Sequence, residues 1–162
     1  MTTIAYRDGI MAADSRAYSG NRDYMGAKAK IERLEDGTLI GVSSTVVGGG
    51  EEVREWVKAG TNPKAELNKG FTLLLVKPDG KVFVAVDTTL LSGPLTADFF
   101  AVGTGSDIAL GAMGMGATAI KAVEVGCRLD PWSALPIYAG NHSGKMPMLL
   151  VDLPLEMFHW LS

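Results

Sequence analysis

Three Asp-Gly dipeptides, Asp8-Gly9, Asp36-Gly37 and Asp79-Gly80, each fall between two short apolar runs. Aspartate and glycine tolerate the positive φ that tight reversals demand, so each dipeptide marks the turn of an antiparallel strand pair. The expected pairs are residues 1–7 with 10–14, 27–34 with 38–43, and 71–76 with 82–86. Short apolar runs at 99–102 and 148–151 read as two further strands. A helix is expected over 51–58, behind Gly48-Gly49-Gly50, because Glu51 and Glu52 lead it and Lys58 closes it, as the helix dipole favours. Two more helices are expected over 107–113 and 117–127, separated near Gly114 and Gly116. Strands joined by hairpins, with helices grouped between them, specify antiparallel sheets covered by helices, an α+β class rather than a βαβ chain.

Composition narrows the class. At 162 residues the chain is expected to form one domain with a single sizeable core. With 47% hydrophobic and 20% charged residues it carries no disorder signature. A mean hydropathy of +0.17 is high for a monomer and points to buried subunit faces. The net charge of −3, with no block of Lys or Arg, argues against nucleic-acid or membrane-surface partners. One cysteine, Cys127, excludes a disulfide framework and suits a reducing, cytoplasmic setting. Arg7 and Asp8 interrupt what would be the apolar part of a signal peptide, and no apolar stretch is long enough to span a bilayer.

Threonine stands directly behind the initiator methionine. Methionine aminopeptidase removes Met1 when the next residue is small, and threonine is small. The product would carry a hydroxyl nucleophile and a free α-amine on one residue. With a reference pKa of about 8, that amine sits where a general base works at neutral pH. A nucleophile and its base would thus arrive together.

Five motifs extend this reading. They are Thr2-Thr3-Ile4, Ala12-Ala13-Asp14-Ser15-Arg16, Lys30-Ile31, Ala101-Val102-Gly103-Thr104-Gly105-Ser106 with Ala109-Leu110, and Arg128-Leu129-Asp130-Pro131-Trp132-Ser133. Together, in this order, they resemble the proteasome β-subunit group of N-terminal-nucleophile hydrolases. The peptidase of the bacterial two-component protease (HslV-like), which also begins Met-Thr-Thr-Ile, is similar at the N-terminus. Lys30 follows Asp14 by sixteen residues and Ser133 follows Asp130 by three, as in that group. The Thr2 to Asp14 gap is shorter than is usual there. An equal, even loss from each arm of the hairpin would preserve the side-chain alternation.

The resemblance implies a four-layer αββα sandwich and threonine-type hydrolysis of peptide bonds through an acyl-enzyme, without metal or cofactor. It implies Thr2 as nucleophile, Lys30 as the cation beside it, and Asp14 as the counter-charge of Lys30. It implies that Thr104, Asp130 and Ser133 fix the terminal amine, and that the backbone N–H of Ser44, where the group usually has glycine, stabilises the oxyanion. A homo-oligomeric ring, a polypeptide substrate and an AAA+ unfoldase partner follow from the same likeness.

Taken without the resemblance, several of these residues have ordinary explanations. Asp14 is a strand-end turn former, Lys30 belongs to a solvated face of mixed charge, Gly103-Thr104-Gly105 is a strand-to-helix turn, and Asp130 before Pro131 is a helix stop. No Lys-Ser/Thr follows either glycine-rich turn, which excludes a phosphate loop of the Walker type. His142 and His159 lie in no metal-ligand spacing. Two other readings of the chain stay open: a non-catalytic, ring-forming homologue that keeps Met1, and an amidase or acylase acting on a non-peptide amide.

Overall fold

The computed structural model describes residues 2–19, 23–144 and 149–150. Strand β1 (Ile4–Arg7) turns at Asp8-Gly9 into β2 (Ile10–Ala13), with φ of 52° and 79° at the two turn residues. Both values are positive, as the two-residue hairpin requires. The other two Asp-Gly turns are longer. Between β5 (Ile31–Arg33) and β6 (Leu39–Ser44), Leu34 N bonds Thr38 O at 2.8 Å and Gly37 N bonds Leu34 O at 3.0 Å. Between β7 (Phe71–Val76) and β8 (Val82–Val86), Lys77 and Lys81 close the same three-residue loop.

Two five-stranded antiparallel sheets result. Strand β11 (Ile137–Asn141) pairs with β2, so the first sheet runs β10 (Phe99–Val102), β1, β2, β11, β12 (Leu149–Leu150). The second runs β5, β6, β7, β8, β9 (Ser92–Leu95). A separate ribbon joins β3 (Arg16–Ser19) to β4 (Asp23–Ala27). Three helices complete the chain: α1 (Gly49–Lys58), α2 (Ser106–Gly114) and α3 (Ala119–Leu129). Helix α3 starts where Thr118 accepts a hydrogen bond from Lys121 N at 3.2 Å, an N-cap, and ends at Asp130.

Alternation along β1 and β2 decides what each face of the first sheet meets. Ala5 and Ala12, joined by Ala139 of β11, face α2 and α3, which answer with Ala109, Ala119 and Ala122. Small residues on both sides let the helices lie close to the sheet. Ile4, Tyr6 and Met11 point the other way, into a cluster with Ile31, Leu39, Leu74 and Val82 of the second sheet. The outer face of that sheet packs Ile40, Val42, Leu73 and Leu75 against Val53, Trp56 and Val57 of α1. A Tyr6 hydroxyl to His142 Nε2 bond of 3.0 Å, with His142 Nδ1 2.7 Å from Gly37 O, ties the end of β11 to the second hairpin.

The structure differs from the sequence expectations at particular places. Residues 28–30 lie outside any strand, because Lys28 N bonds Ser15 O and only Lys30 O reaches the ladder, accepting from Val42 N. Helix α1 begins two residues earlier than expected, at Gly49, and α3 begins and ends two residues later. Of the expected strand 148–151, Leu149 and Leu150 form β12, while Met148 and Val151 lie outside the described residues, as does His159. No helix among the described residues is long and apolar enough to cross a membrane.

Leu74 is 1% exposed in the layer between the sheets. Leu74→Ala is expected to lower the unfolding free energy by about 2–5 kcal/mol, read from the urea midpoint. Met115→Ala, at a site 91% exposed, is expected to stay within about 0.5 kcal/mol of the unaltered chain.

Candidate active site

Antiparallel pairing brings strand ends of opposite sense together. Ile4 stands opposite Ala13 on one side and Val102 on the other. The residues just before β1 therefore lie beside those just after β2 and β10. Thr2, Asp14 and Thr104 meet in this way, and Lys30, just before β5, joins them from the facing sheet. Asp130 and Ser133 arrive from the C-terminal end of α3.

Asp14 is fully buried and accepts six hydrogen bonds. Its Oδ1 takes the Thr2 hydroxyl at 3.2 Å, Thr3 N at 3.0 Å and Lys30 Nζ at 3.1 Å. Its Oδ2 takes Lys30 Nζ at 3.1 Å, Arg16 N at 3.2 Å and Ala134 N at 3.2 Å. A carboxylate without water must find its donors inside the protein, and this one does. The Lys30 side chain is 6% exposed. Burial pushes its ammonium below the ordinary lysine range, against the charge and hydrogen bonds of Asp14, which pull it up. The Thr2 hydroxyl and the Lys30 ammonium thus meet on one carboxylate oxygen.

A second carboxylate, Asp130, orients the threonine from the other side. Thr104 Oγ1 donates to Asp130 Oδ2 at 2.8 Å, and Ser133 Oγ donates to the same oxygen at 2.6 Å. Each hydroxyl has one proton. The Thr104 proton goes to Asp130 rather than to Thr2 O, which is 3.5 Å away. Thr104 Oγ1 is then an acceptor, and Thr2 N bonds it at 3.0 Å. By the same count Thr3 Oγ1, 2.8 Å from Ser133 Oγ, must be the donor in that pair.

Glycines make the close approach feasible. A Cβ on Gly103, where φ is +99°, would collide with the carbonyl of Thr2, and one on Gly105 would collide with the Thr3 hydroxyl. The Gly-Thr-Gly turn therefore lets Thr104 reach the backbone of Thr2 while its neighbours clear the strand.

Ser44 ends β6. Its hydroxyl is held in a local turn, accepting from Val46 N and donating to Val46 O, both at 3.1 Å. Its N–H has a direction set by the ladder. Thr45 N bonds Gly70 O on the β7 side and Val42 N bonds Lys30 O on the β5 side, so Ser44 N, two residues beyond Val42, points past the end of β5. That is the side on which a cavity of about 310 Å³ opens, lined by Thr2, Lys30 and Ser44 among others.

All seven residues singled out from the sequence gather at one end of the sheets. Six are joined through Asp14 and Asp130, and Ser44 shares the cavity. Three contributors were missed: Thr3, which holds both carboxylate networks, and the N–H groups of Arg16 and Ala134. Strand alternation after Thr2 could have flagged Thr3, but nothing in a single sequence signals which backbone N–H will face a buried carboxylate. Cys127 lies against the helix-facing core. Among the described residues no group of His, Cys, Asp and Glu side chains could hold a metal ion.

Comparison with known proteins adds to this. No protein-family model matches the chain, and no curated protein matches it. Solved structures do, and they are of the HslV-like and proteasome-like class. Thiobacillus denitrificans BPH in complex with epoxomicin superposes with a TM-score of 0.59 at 18% identity, over 91% of this chain and 98% of that one. A second structure of Thiobacillus denitrificans BPH gives 0.54 at 17%, over 91% and 97%. Eukaryotic HslV from Trypanosoma brucei gives 0.61 at 15%, over 86% and 97%. This chain has their fold, so the likeness to the proteasome β-subunit and HslV-like group holds at the level of architecture.

Two measurements check the site. Asp14→Leu strands a buried ammonium and three backbone N–H groups, and should cost about 3–5 kcal/mol. Lys30→Met leaves Asp14 its other donors and should cost distinctly less; equal losses would contradict the hub. Burial pushes the Cys127 thiol up to about 12. Alkylation of the folded chain at pH 8 should therefore run roughly 10³-fold slower than in denaturant.

Proposed function

We propose that the chain is a threonine-type peptidase whose nucleophile is Thr2, exposed by removal of Met1. The observation that carries this reading is the meeting of the Thr2 hydroxyl and nitrogen with Asp14, Lys30 and Thr104 beside an open cavity. In the processed chain the Thr2 nitrogen is an amine. Its hydrogen bond to Thr104 aims its lone pair at its own hydroxyl. The hydroxyl oxygen attacks the substrate carbonyl and its proton passes to the amine, a step worth about 10²–10⁴ in rate. Lys30 favours the developing alkoxide and, by like-charge repulsion, a neutral amine. The N–H of Ser44 supplies the oxyanion contact, worth about 10²–10³. The amine's proton leaves with the departing amide nitrogen, and water then hydrolyses the ester on Thr2.

The layering of α2 and α3, first sheet, second sheet and α1 supports a four-layer αββα sandwich, with residues 1–162 as one N-terminal-nucleophile hydrolase domain. A ring of identical copies that confines the sites, working on polypeptides in the cytoplasm with an AAA+ unfoldase, belongs to the same proposal. Exposed apolar side chains on the helices, Leu110 and Leu129, suit such packing.

Untagged protein should show an intact mass short by one methionine. Epoxomicin, the ligand of the Thiobacillus denitrificans BPH, should add to Thr2 on peptide mapping. Thr2→Val keeps the shape and the small second residue but removes the hydroxyl, and should abolish peptide hydrolysis. Thr2→Ser should retain part of it. A chain that keeps Met1 and takes no label would overturn the proposal in favour of a non-catalytic assembly protein. Cleavage of non-peptide amides alone would favour the amidase.

A further inference from the structure

The cavity beside Thr2 is walled by residues 28–30 on one side and by the first turns of α1 on the other. Much of its lining is small and apolar, but its charges are unequal. Among the described residues, the cations Lys28 and Arg54 line it against the carboxylate Glu51. Lys30 lines it too, but Asp14 cancels its charge. Lys28 Nζ lies 2.8 Å from Glu51 Oε1, and an Arg54 guanidinium nitrogen lies 3.6 Å from the same oxygen. The other guanidinium nitrogen donates to Ala29 O at 3.0 Å, which fixes Arg54 across the wall.

We infer that Lys28, Arg54 and Glu51 determine specificity, and that the cavity takes an acidic substrate side chain, Asp or Glu, on the acyl side of the bond that Thr2 attacks. This rests on the peptidase reading above. One observation pulls the other way: Glu51 Oε2 is shielded from solvent and has no hydrogen-bond partner. A basic side chain seeking that oxygen would come within reach of Lys28 and Arg54 at the other one. The surplus of positive charge therefore decides, and it both attracts the acid and repels the base. Lys28 and Glu51 are each more than two-fifths exposed, so the preference must weaken as salt rises.

The test uses the full chain and a matched set of peptides that differ only in carrying Glu, Leu or Lys at the position before the cut. Cleavage of the Glu peptide should exceed that of the Lys peptide by about tenfold or more in kcat/KM at low salt. Lys28→Met should shrink that ratio and Glu51→Gln should enlarge it, the ratio being read within each variant. A preference for Lys, or a ratio indifferent to both substitutions, overturns the inference while leaving the peptidase reading intact. Should no peptide be cleaved, the peptidase reading fails, and the cavity is still tested by binding. Fluorescence polarisation of the same labelled peptides on Thr2→Val should rank Glu above Lys, with the gap narrowed by Lys28→Met. Equal binding overturns it.

Discussion

A carboxylate with no exposure to water organises the end of this molecule where the chain begins. Asp14 is held by one ammonium, one hydroxyl and three backbone N–H groups that come from four separate stretches of chain. Such a group is tolerable only when its lone pairs are filled, and filling them fixes the strand ends to one another. The contact from Lys30 joins the two sheets, and the contact from Ala134 anchors the segment between α3 and β11. Thr2 is placed as a consequence, because its hydroxyl shares an oxygen with Lys30. The stability of this corner and the geometry of the candidate site are therefore one property.

The remainder of the fold makes that corner reachable. Alanines on the helix-facing side of the first sheet bring α2 and α3 near enough for Asp130 and Ser133 to reach Thr104 and Thr3. Glycine at 103, 105 and 126 leaves the space that Thr2 and Thr3 occupy. Larger residues at these positions would keep the strands but push the two carboxylate networks apart. The packing inside the first sheet's helix layer and the spacing of the polar network are set by the same small side chains.

How much of this could be read beforehand follows from what kind of signal each element carries. The Asp-Gly hairpins were legible because the turn chemistry is local. Strands β3, β4, β9 and β11 were not. Strand β9 contains Gly93-Pro94, which argues against a strand except at a sheet edge, where it lies. Strand β11 follows Pro136 and includes Ala139 and Gly140, weak strand formers that are held by the neighbours β2 and β12 rather than by propensity. Thr2 stood out by its place behind Met1, but the other six candidate residues were found through likeness to a family, since Asp14, Lys30 and Asp130 each have an ordinary local explanation. Only tertiary pairing removes those explanations: Lys30 is no solvated lysine once its side chain is 6% exposed and bidentate to Asp14.

The proton count around Asp130 sets the direction of the hydrogen bonds that reach the N-terminal threonines. Two hydroxyl protons converge on one oxygen, so Thr104 and Ser133 can face the N-terminal threonines only as acceptors. An acceptor at Thr104 holds the Thr2 nitrogen through an N–H, which in the proposed reaction would leave a terminal amine's lone pair for its role as base. A donor there would instead occupy the lone pair and silence it. Asp130 does not touch the threonine, yet it determines which way that hydrogen bond runs. On the other side the Asp14 carboxylate accepts the Thr2 hydroxyl proton, a hydrogen bond that the proposed reaction would have to release for that proton to reach the amine. Lys30, already bonded to both Asp14 oxygens, would in that reaction supply the positive charge that favours the oxygen left behind. The two carboxylates thus impose opposite roles on one residue, with its nitrogen oriented through a relay and its oxygen held directly.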